Sequence, residues 1–125
     1  MKSVSLEEVL LFHRKIITYT GGSSGIRDKG LIESALNRGL ATFDGTELFS
    51  SIYEKVAAIT FSLVNNHGFV DGNKRVGLSV MLLLLRLNDI NIKYTQEELI
   101  ELGLKVADGS WKEPDIYTWI TEHKL

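Results

Sequence analysis

The chain has no cysteine. Disulfide frameworks, thiolate zinc sites, iron–sulfur clusters and a catalytic thiol are therefore excluded. A reducing cytosol is permitted, though not required. Histidine is scarce: only His13, His67 and His123 are present for acid–base work near neutral pH. Charge of one sign is scarce too. Fourteen Lys and Arg stand against sixteen Asp and Glu, a formal net charge of −2. A broad electrostatic surface for nucleic acid needs a basic excess, so direct nucleic-acid binding is not expected. The longest unbroken apolar run, Val80–Leu85, stops at Arg86, far short of the roughly 20 residues of a membrane span. The opening Met1-Lys2-Ser3-Val4-Ser5 lacks the apolar stretch of a secretory peptide. The expectation is a soluble cytoplasmic protein with no membrane association.

What remains is 125 residues, 44 % of them apolar. Residues 1–125 read as a single domain, which buries roughly two thirds of its unfolded surface without staples. The patterning is helical almost throughout. Ser5 with Glu8 is a capping box, followed by Leu6, Val9, Leu10, His13, Ile16 and Ile17 at helical spacing. Thr20–Gly25 is a loop by composition. Asp28 caps a short helix reaching Asn37, and Phe43–Gly45 is a turn. A longer helix is expected from about Glu47 to Asn65. Two apolar stripes along it, one including Phe49, imply burial on more than one side. A second helix, Asn73 to Asn88, is apolar almost all round and is expected at the centre of the domain. Asn91–Tyr94 reads as a short extended connection. Thr95 with Glu98 opens a helix to about Val106. The single proline, Pro114, suits the first turn of a last helix ending near Lys124. The expected architecture is all-α: a compact single-domain bundle of about six helices.

One segment carries chemistry: His67-Gly68-Phe69-Val70-Asp71-Gly72-Asn73-Lys74-Arg75. It joins the two most apolar helices and runs straight into a helix N-terminus. Free backbone N–H groups and the positive end of the helix dipole make such a terminus an anion site. Lys74 and Arg75 add two cations. Asp71 beside an anion makes sense if a divalent cation bridges them, as magnesium does for phosphates. His67 can accept a proton near neutral pH. Base, metal ligand and phosphate clamp within nine residues suggest nucleotide-dependent group transfer. Each residue also has a plain structural reading. Taken alone, Asp71 reads first as a helix cap and Phe69 as a core anchor, and His67 fits a C-terminal cap of the preceding helix. Gly68 and Gly72 fit positive φ or close approach, and Lys74 and Arg75 fit solvated charges.

The segment resembles the Fic/Doc superfamily motif. That motif has a histidine, a phenylalanine two residues on, an acidic residue or Asn two further, then a small residue, Asn, Gly or Lys, and Arg. His67, Phe69, Asp71, Gly72, Asn73, Lys74 and Arg75 fill all seven positions. The Gly21-Gly22 loop and the stretch from Gly25 to Leu36 are similar to the N-terminal half of the small death-on-curing (Doc) toxins. The resemblance implies His67 as general base and Asp71 as the Mg²⁺ ligand. It implies Gly72, Asn73, Lys74 and Arg75 around the nucleotide phosphates, with Lys74 and Arg75 also stabilising developing charge. Lys74 stands where most Fic adenylyltransferases have Gly. In Doc-like members that change accompanies an inverted nucleotide and transfer of the terminal phosphate. The implied reaction is Mg-ATP-dependent phosphorylation of a Ser or Thr hydroxyl on a translation factor, elongation factor Tu in the family. Adenylyl transfer and a catalytically silent antitoxin-binding module are the alternatives. The self-inhibitory pattern Ser/Thr-x-x-x-Glu-Gly/Asn of many Fic proteins does not occur. The resemblance therefore implies silencing by a separate antitoxin, whose disordered C-terminal segment folds onto the toxin.

Other signals are weaker. Gly21-Gly22-Ser23-Ser24-Gly25 matches a nucleophile elbow as a string, but the elbow needs a parallel sheet for which no strands are available. Gly68-x-x-x-Gly72-Asn73-Lys74 lacks the glycine spacing and the Ser/Thr of a P-loop. His13 falls on an apolar stripe and reads as a satisfied core histidine, Trp111 and Trp119 as packing residues, and His123 as uninformative.

Overall fold

A computed structural model describes all of residues 1–125. Helices form where caps and periodicity require them. Helix α1 (Leu6–Thr20) opens on the complete Ser5/Glu8 capping box, and α2 (Lys29–Asn37) on Asp28, which accepts from Leu31 N–H at 3.3 Å. A 3₁₀ turn (Arg38–Leu40) follows. Helices α3 (Ile52–Asn65), α4 (Asn73–Leu87), α5 (Gln96–Ala107) and α6 (Glu113–His123) complete the set. Thr95/Glu98 is a full capping box on α5, and a proline stands in the first turn of α6. The architecture is the expected all-α bundle of six helices.

Helix α3 starts five residues later than its periodicity suggests. The Phe43–Gly45 turn closes a two-stranded antiparallel hairpin, β1 (Thr42–Phe43) with β2 (Thr46–Glu47). Asp44 and Gly45 both have positive φ, 55° and 77°, the pairing that an Asp-Gly hairpin turn supplies. Ser51 then caps α3, accepting from Glu54 N–H at 3.1 Å. Phe49 therefore lies outside the helix, with the Arg38 guanidinium 4.7 Å from its ring centre. The buried Lys55 holds this region to α3. Its ammonium donates to Phe49 O at 2.7 Å, Glu47 Oε1 at 3.1 Å and Gly39 O at 3.4 Å.

The centre is shared. Helix α4 packs on α1, α3 and α5, while α3 touches α2, α4, α5, α6 and the 3₁₀ turn. A continuous run of α3 from Lys55 to Thr60 is buried, which explains its two apolar stripes. Asn91–Tyr94 is extended as expected. Its Ile92 makes a single bridge to Lys124, closing the C-terminus onto the α4–α5 connection. His123 is more informative than its terminal position suggested. One ring nitrogen lies 2.7 Å from Trp119 O, the other 2.7 Å from Glu98 Oε2, and the ring stacks on Trp119. Burial pulls its pKa down, but the Glu98 carboxylate and Trp119 carbonyl together outweigh that and hold it above its ordinary value. No helix is long and apolar enough to cross a membrane.

Helices α3 and α4 pack tightly at Gly77, where an added Cβ would sit 2.6 Å from Val64 Cγ2. Val64 is buried and β-branched, so it has little room to yield. The Gly77→Ala substitution gains helix propensity of up to about 1 kcal/mol. The overpacking is worth about 1–3 kcal/mol in the opposite sense and dominates. Chemical denaturation is expected to show net destabilisation; a stabilised variant would mean that the α3–α4 contact is loose.

Candidate functional site

The segment from Asn66 to Gly72 crosses between α3 and α4 and is gripped from below. Phe69 is 2 % exposed and its ring stacks on His13, with centroids 3.8 Å apart. The Asn73 side chain spans its backbone: Phe69 N–H donates to Asn73 Oδ1 at 3.0 Å, and Asn73 Nδ2 donates to Phe69 O at 2.9 Å. His13, buried as expected, has Nε2 at 2.7 Å from Asp71 O. It is a core histidine whose polar edge fixes the site loop.

A second strand of chain grips the loop from the side. Ile26 bridges Phe69 in antiparallel sense. Gly68 O accepts from Arg27 N–H at 2.8 Å and Asp28 N–H at 2.9 Å, and Val70 N–H donates to Gly25 O at 3.0 Å. A Cβ at Gly68 would collide with Ile32 of α2, so only glycine permits this approach. The Arg27 side chain donates to His67 O at 2.6 Å and Asn66 O at 3.3 Å, filling acceptors at the open end of α3. His13, Ser23 and Arg27 were not picked out as parts of the site. Their partners lie 39 to 58 residues away in sequence, and no local pattern marks them.

The structure brings the seven motif residues onto one short arc. His67 has φ of 52°, directly after the α3 cap at Asn66. Its backbone thus serves as the left-handed stop to the helix. Its ring is exposed and has no hydrogen-bond partner in the protein. Asp71 is not the cap of α4; that position belongs to Gly72, at φ of 81°. Asp71 Oδ1 accepts from the adjacent Gly72 N–H at 2.8 Å, and Oδ2 accepts from Ser23 N–H at 3.2 Å. The Ser23 N–H foremost, then that of Gly72, with Arg75 and His13 adding charge, hold the Asp71 carboxyl below its ordinary pKa. It is therefore ionised at neutral pH.

Side-chain oxygens of Ser5, Asp28, Ser51 and Thr95 cap α1, α2, α3 and α5, whereas no side chain caps α4. The first amide of α4 with an intrahelical partner is Val76, bonded to Gly72 O at 2.9 Å. The amides of Asn73, Lys74 and Arg75 are left for an anion. The aliphatic stem of Lys74 runs close beside Gly103 of α5, and its ammonium forms no ion pair. Arg75 donates to the Thr20 hydroxyl and to Gly21 O, and lies 3.6 Å from Asp71 Oδ1. Beside the pair opens a groove of about 410 Å³ between α1, α4 and α5, lined by Ile16, Leu78, Leu82, Leu99 and Ile100.

No three His, Asp or Glu side chains converge as a metal cage. The donor set instead fits magnesium held by one carboxylate together with ligand phosphates. Asp71 could supply the carboxylate, and the open amides with Lys74 and Arg75 could seat the phosphates.

The Asn73→Ala substitution leaves the part-buried Phe69 N–H without its acceptor, at an expected cost of about 1–3 kcal/mol. Hydrogen exchange is expected to show the Phe69 amide losing protection. Unchanged protection would mean that the loop is fixed by other groups.

Comparison with known proteins adds the following. Residues 3–85 match the Fic/DOC family. The chain is 36 % identical over 72 residues to Toxin Doc of Mycolicibacterium smegmatis, covering 58 % of this chain and 55 % of that protein. It is 31 % identical over 109 residues to Protein kinase doc of Escherichia phage P1, covering 87 % of this chain and 85 % of that protein. The chain belongs to the Fic/DOC family, and within it resembles the Doc toxins.

Proposed function

We propose that the chain is a toxin that transfers the terminal phosphate of Mg·ATP to a Ser or Thr hydroxyl of a translation factor, with elongation factor Tu as the candidate acceptor. The observation that carries this reading is the uncapped N-terminus of α4, with the free Lys74 ammonium beside it and the exposed His67 four residues upstream of Asp71. The similarity to a protein kinase of phage P1 supports it.

In this reading the γ-phosphate lies against the amides of Asn73, Lys74 and Arg75. Lys74 and Arg75 face the negative charge that spreads over the phosphoryl oxygens as transfer proceeds. Asp71 and the phosphates hold Mg²⁺, which when bound neutralises part of that charge. His67 takes the proton of the acceptor hydroxyl. The hydroxyl oxygen bonds to the γ-phosphorus, the bond to the ADP oxygen breaks, and ADP leaves. Asn73 acts at one remove, holding the loop through Phe69. Lys74 is the basis for preferring phosphoryl over adenylyl transfer: it stands where the resemblance places Gly in adenylyltransferases, and its stem lies against Gly103.

The cognate antitoxin is the second partner. The groove between α1, α4 and α5 is our candidate seat for its C-terminal segment. Its floor is apolar, Ile100 stands half exposed along its α5 side, and it ends at Lys74 and Arg75. A segment that folds on binding gains most by burying its own apolar face on such a surface.

The test uses elongation factor Tu, Mg²⁺ and ATP labelled at the α or the γ position. Label from γ alone is expected on the acceptor, and His67→Ala is expected to reduce it at least about 100-fold. Label from α would mean adenylyl transfer. Label from neither, on any protein of a cell extract, would leave an antitoxin-binding module without activity.

A further inference from the structure

We propose that the Thr20–Ser23 segment is a latch that competes with Mg·nucleotide for Asp71 and Arg75. The inference rests on the reading of the site given above. Asp71 and Arg75, two of the groups assigned to the ligand, are already engaged by this one segment. Ser23 N–H points at Asp71 Oδ2 at 3.2 Å. Gly22 lies so close to that oxygen that an added Cβ would collide with it. Arg75 Nη1 is held by the Thr20 hydroxyl and Gly21 O, the latter at 2.8 Å. Arg75 and Asp71 face each other at 3.6 Å, completing a closed ring of loop, carboxylate and guanidinium.

Gly22 and the Ser23 N–H cover Asp71 Oδ2, and a magnesium ion reaching that oxygen needs the same space for its close, near-octahedral contacts. A phosphate and a backbone carbonyl likewise compete for the guanidinium. Binding is therefore an exchange that preserves charge balance. Asp71 trades Ser23 N–H and Arg75 for Mg²⁺, while Arg75 trades Asp71, Thr20 and Gly21 for phosphate. Lys74 stands outside the ring with its ammonium free, so it can meet an arriving phosphate first. The segment is built to swing: Gly21 and Gly22 have φ of 87° and 115°, and nothing lies within 4 Å of a Cβ added at Gly21. Such conformations cost glycine little. A site whose competent form must first be released binds more weakly by the fraction released. The empty toxin would then hold its own phosphate clamp closed.

The test measures Mg·ATP binding by calorimetry in the wild-type chain and in Thr20→Val, which keeps the side-chain shape and removes an acceptor from Arg75. Loss of one such hydrogen bond is expected to tighten binding about 3- to 10-fold. Gly22→Ala, whose methyl group breaks the close contact between the segment and Asp71 Oδ2, is a second variant expected to move binding in the same direction. Independently of affinity, hydrogen exchange at the Ser23 amide of the wild-type chain is expected to speed up when Mg·ATP is added, because that donor loses its acceptor. Equal or weaker binding in Thr20→Val, with Ser23 protection unchanged by Mg·ATP, would overturn the latch while leaving the site reading intact. No detectable Mg·ATP binding by any of the three chains would overturn the site reading and the latch with it.

Discussion

Phe69 lies between two side chains that bind it in different ways. His13 stacks on its ring, and Asn73 takes up both polar groups of its backbone. The chain must leave α3 and enter α4 within seven residues, and both helices are too buried to shift. Their close contact at Gly77 fixes the ends of the crossing, and Phe69 fixes its middle. What is left on the outside follows from that constraint. His67 is turned out by its left-handed backbone, and Asp71 and Gly72 are set so that α4 begins without a side-chain cap. An uncapped helix start beside two cations is an unfavourable arrangement for an empty protein. It becomes favourable once an anion arrives.

The electrostatics of the site are local and nearly balanced. The net charge of −2 is spread over the whole chain, but near the start of α4 one carboxylate faces two cations. One of those cations, Arg75, is paired with Asp71 and with the α1–α2 loop; the other, Lys74, is not. The two residues thus differ in surroundings although they are adjacent in sequence: Arg75 ties the start of α4 to the α1–α2 loop, and Lys74 has no ion-pair partner. His13 adds a second coupling, since the same imidazole touches Phe69 and the Asp71 carbonyl.

Much of this was legible in the sequence because it rests on short-range physics. The Ser5/Glu8 and Thr95/Glu98 boxes announced α1 and α5, and Pro114 announced α6. The motif residues from His67 to Arg75 stand out through their resemblance to the Fic/Doc motif. The start of α3 was misjudged because the tie from Lys55 to Glu47, Phe49 and Gly39 is tertiary, and it favours a hairpin where periodicity alone continues the helix. The pairing of Ser23 with Asp71 crosses 48 residues, and that of His123 with Glu98 crosses 25. Neither leaves a local pattern. Asn73 was legible as a member of the site but not in the part it plays, since its partner Phe69 reads as a core anchor and its own side chain as a polar ligand.

The proposed phosphate seat is the first three amides of α4. Amide chemical shifts of Asn73, Lys74 and Arg75, followed during titration with Mg·ATP and separately with Mg²⁺ plus adenosine, test it most directly. The expected result is a large, saturable change at these three amides with Mg·ATP and none with adenosine. Saturable changes confined to other helices, with these three amides still, would contradict the account.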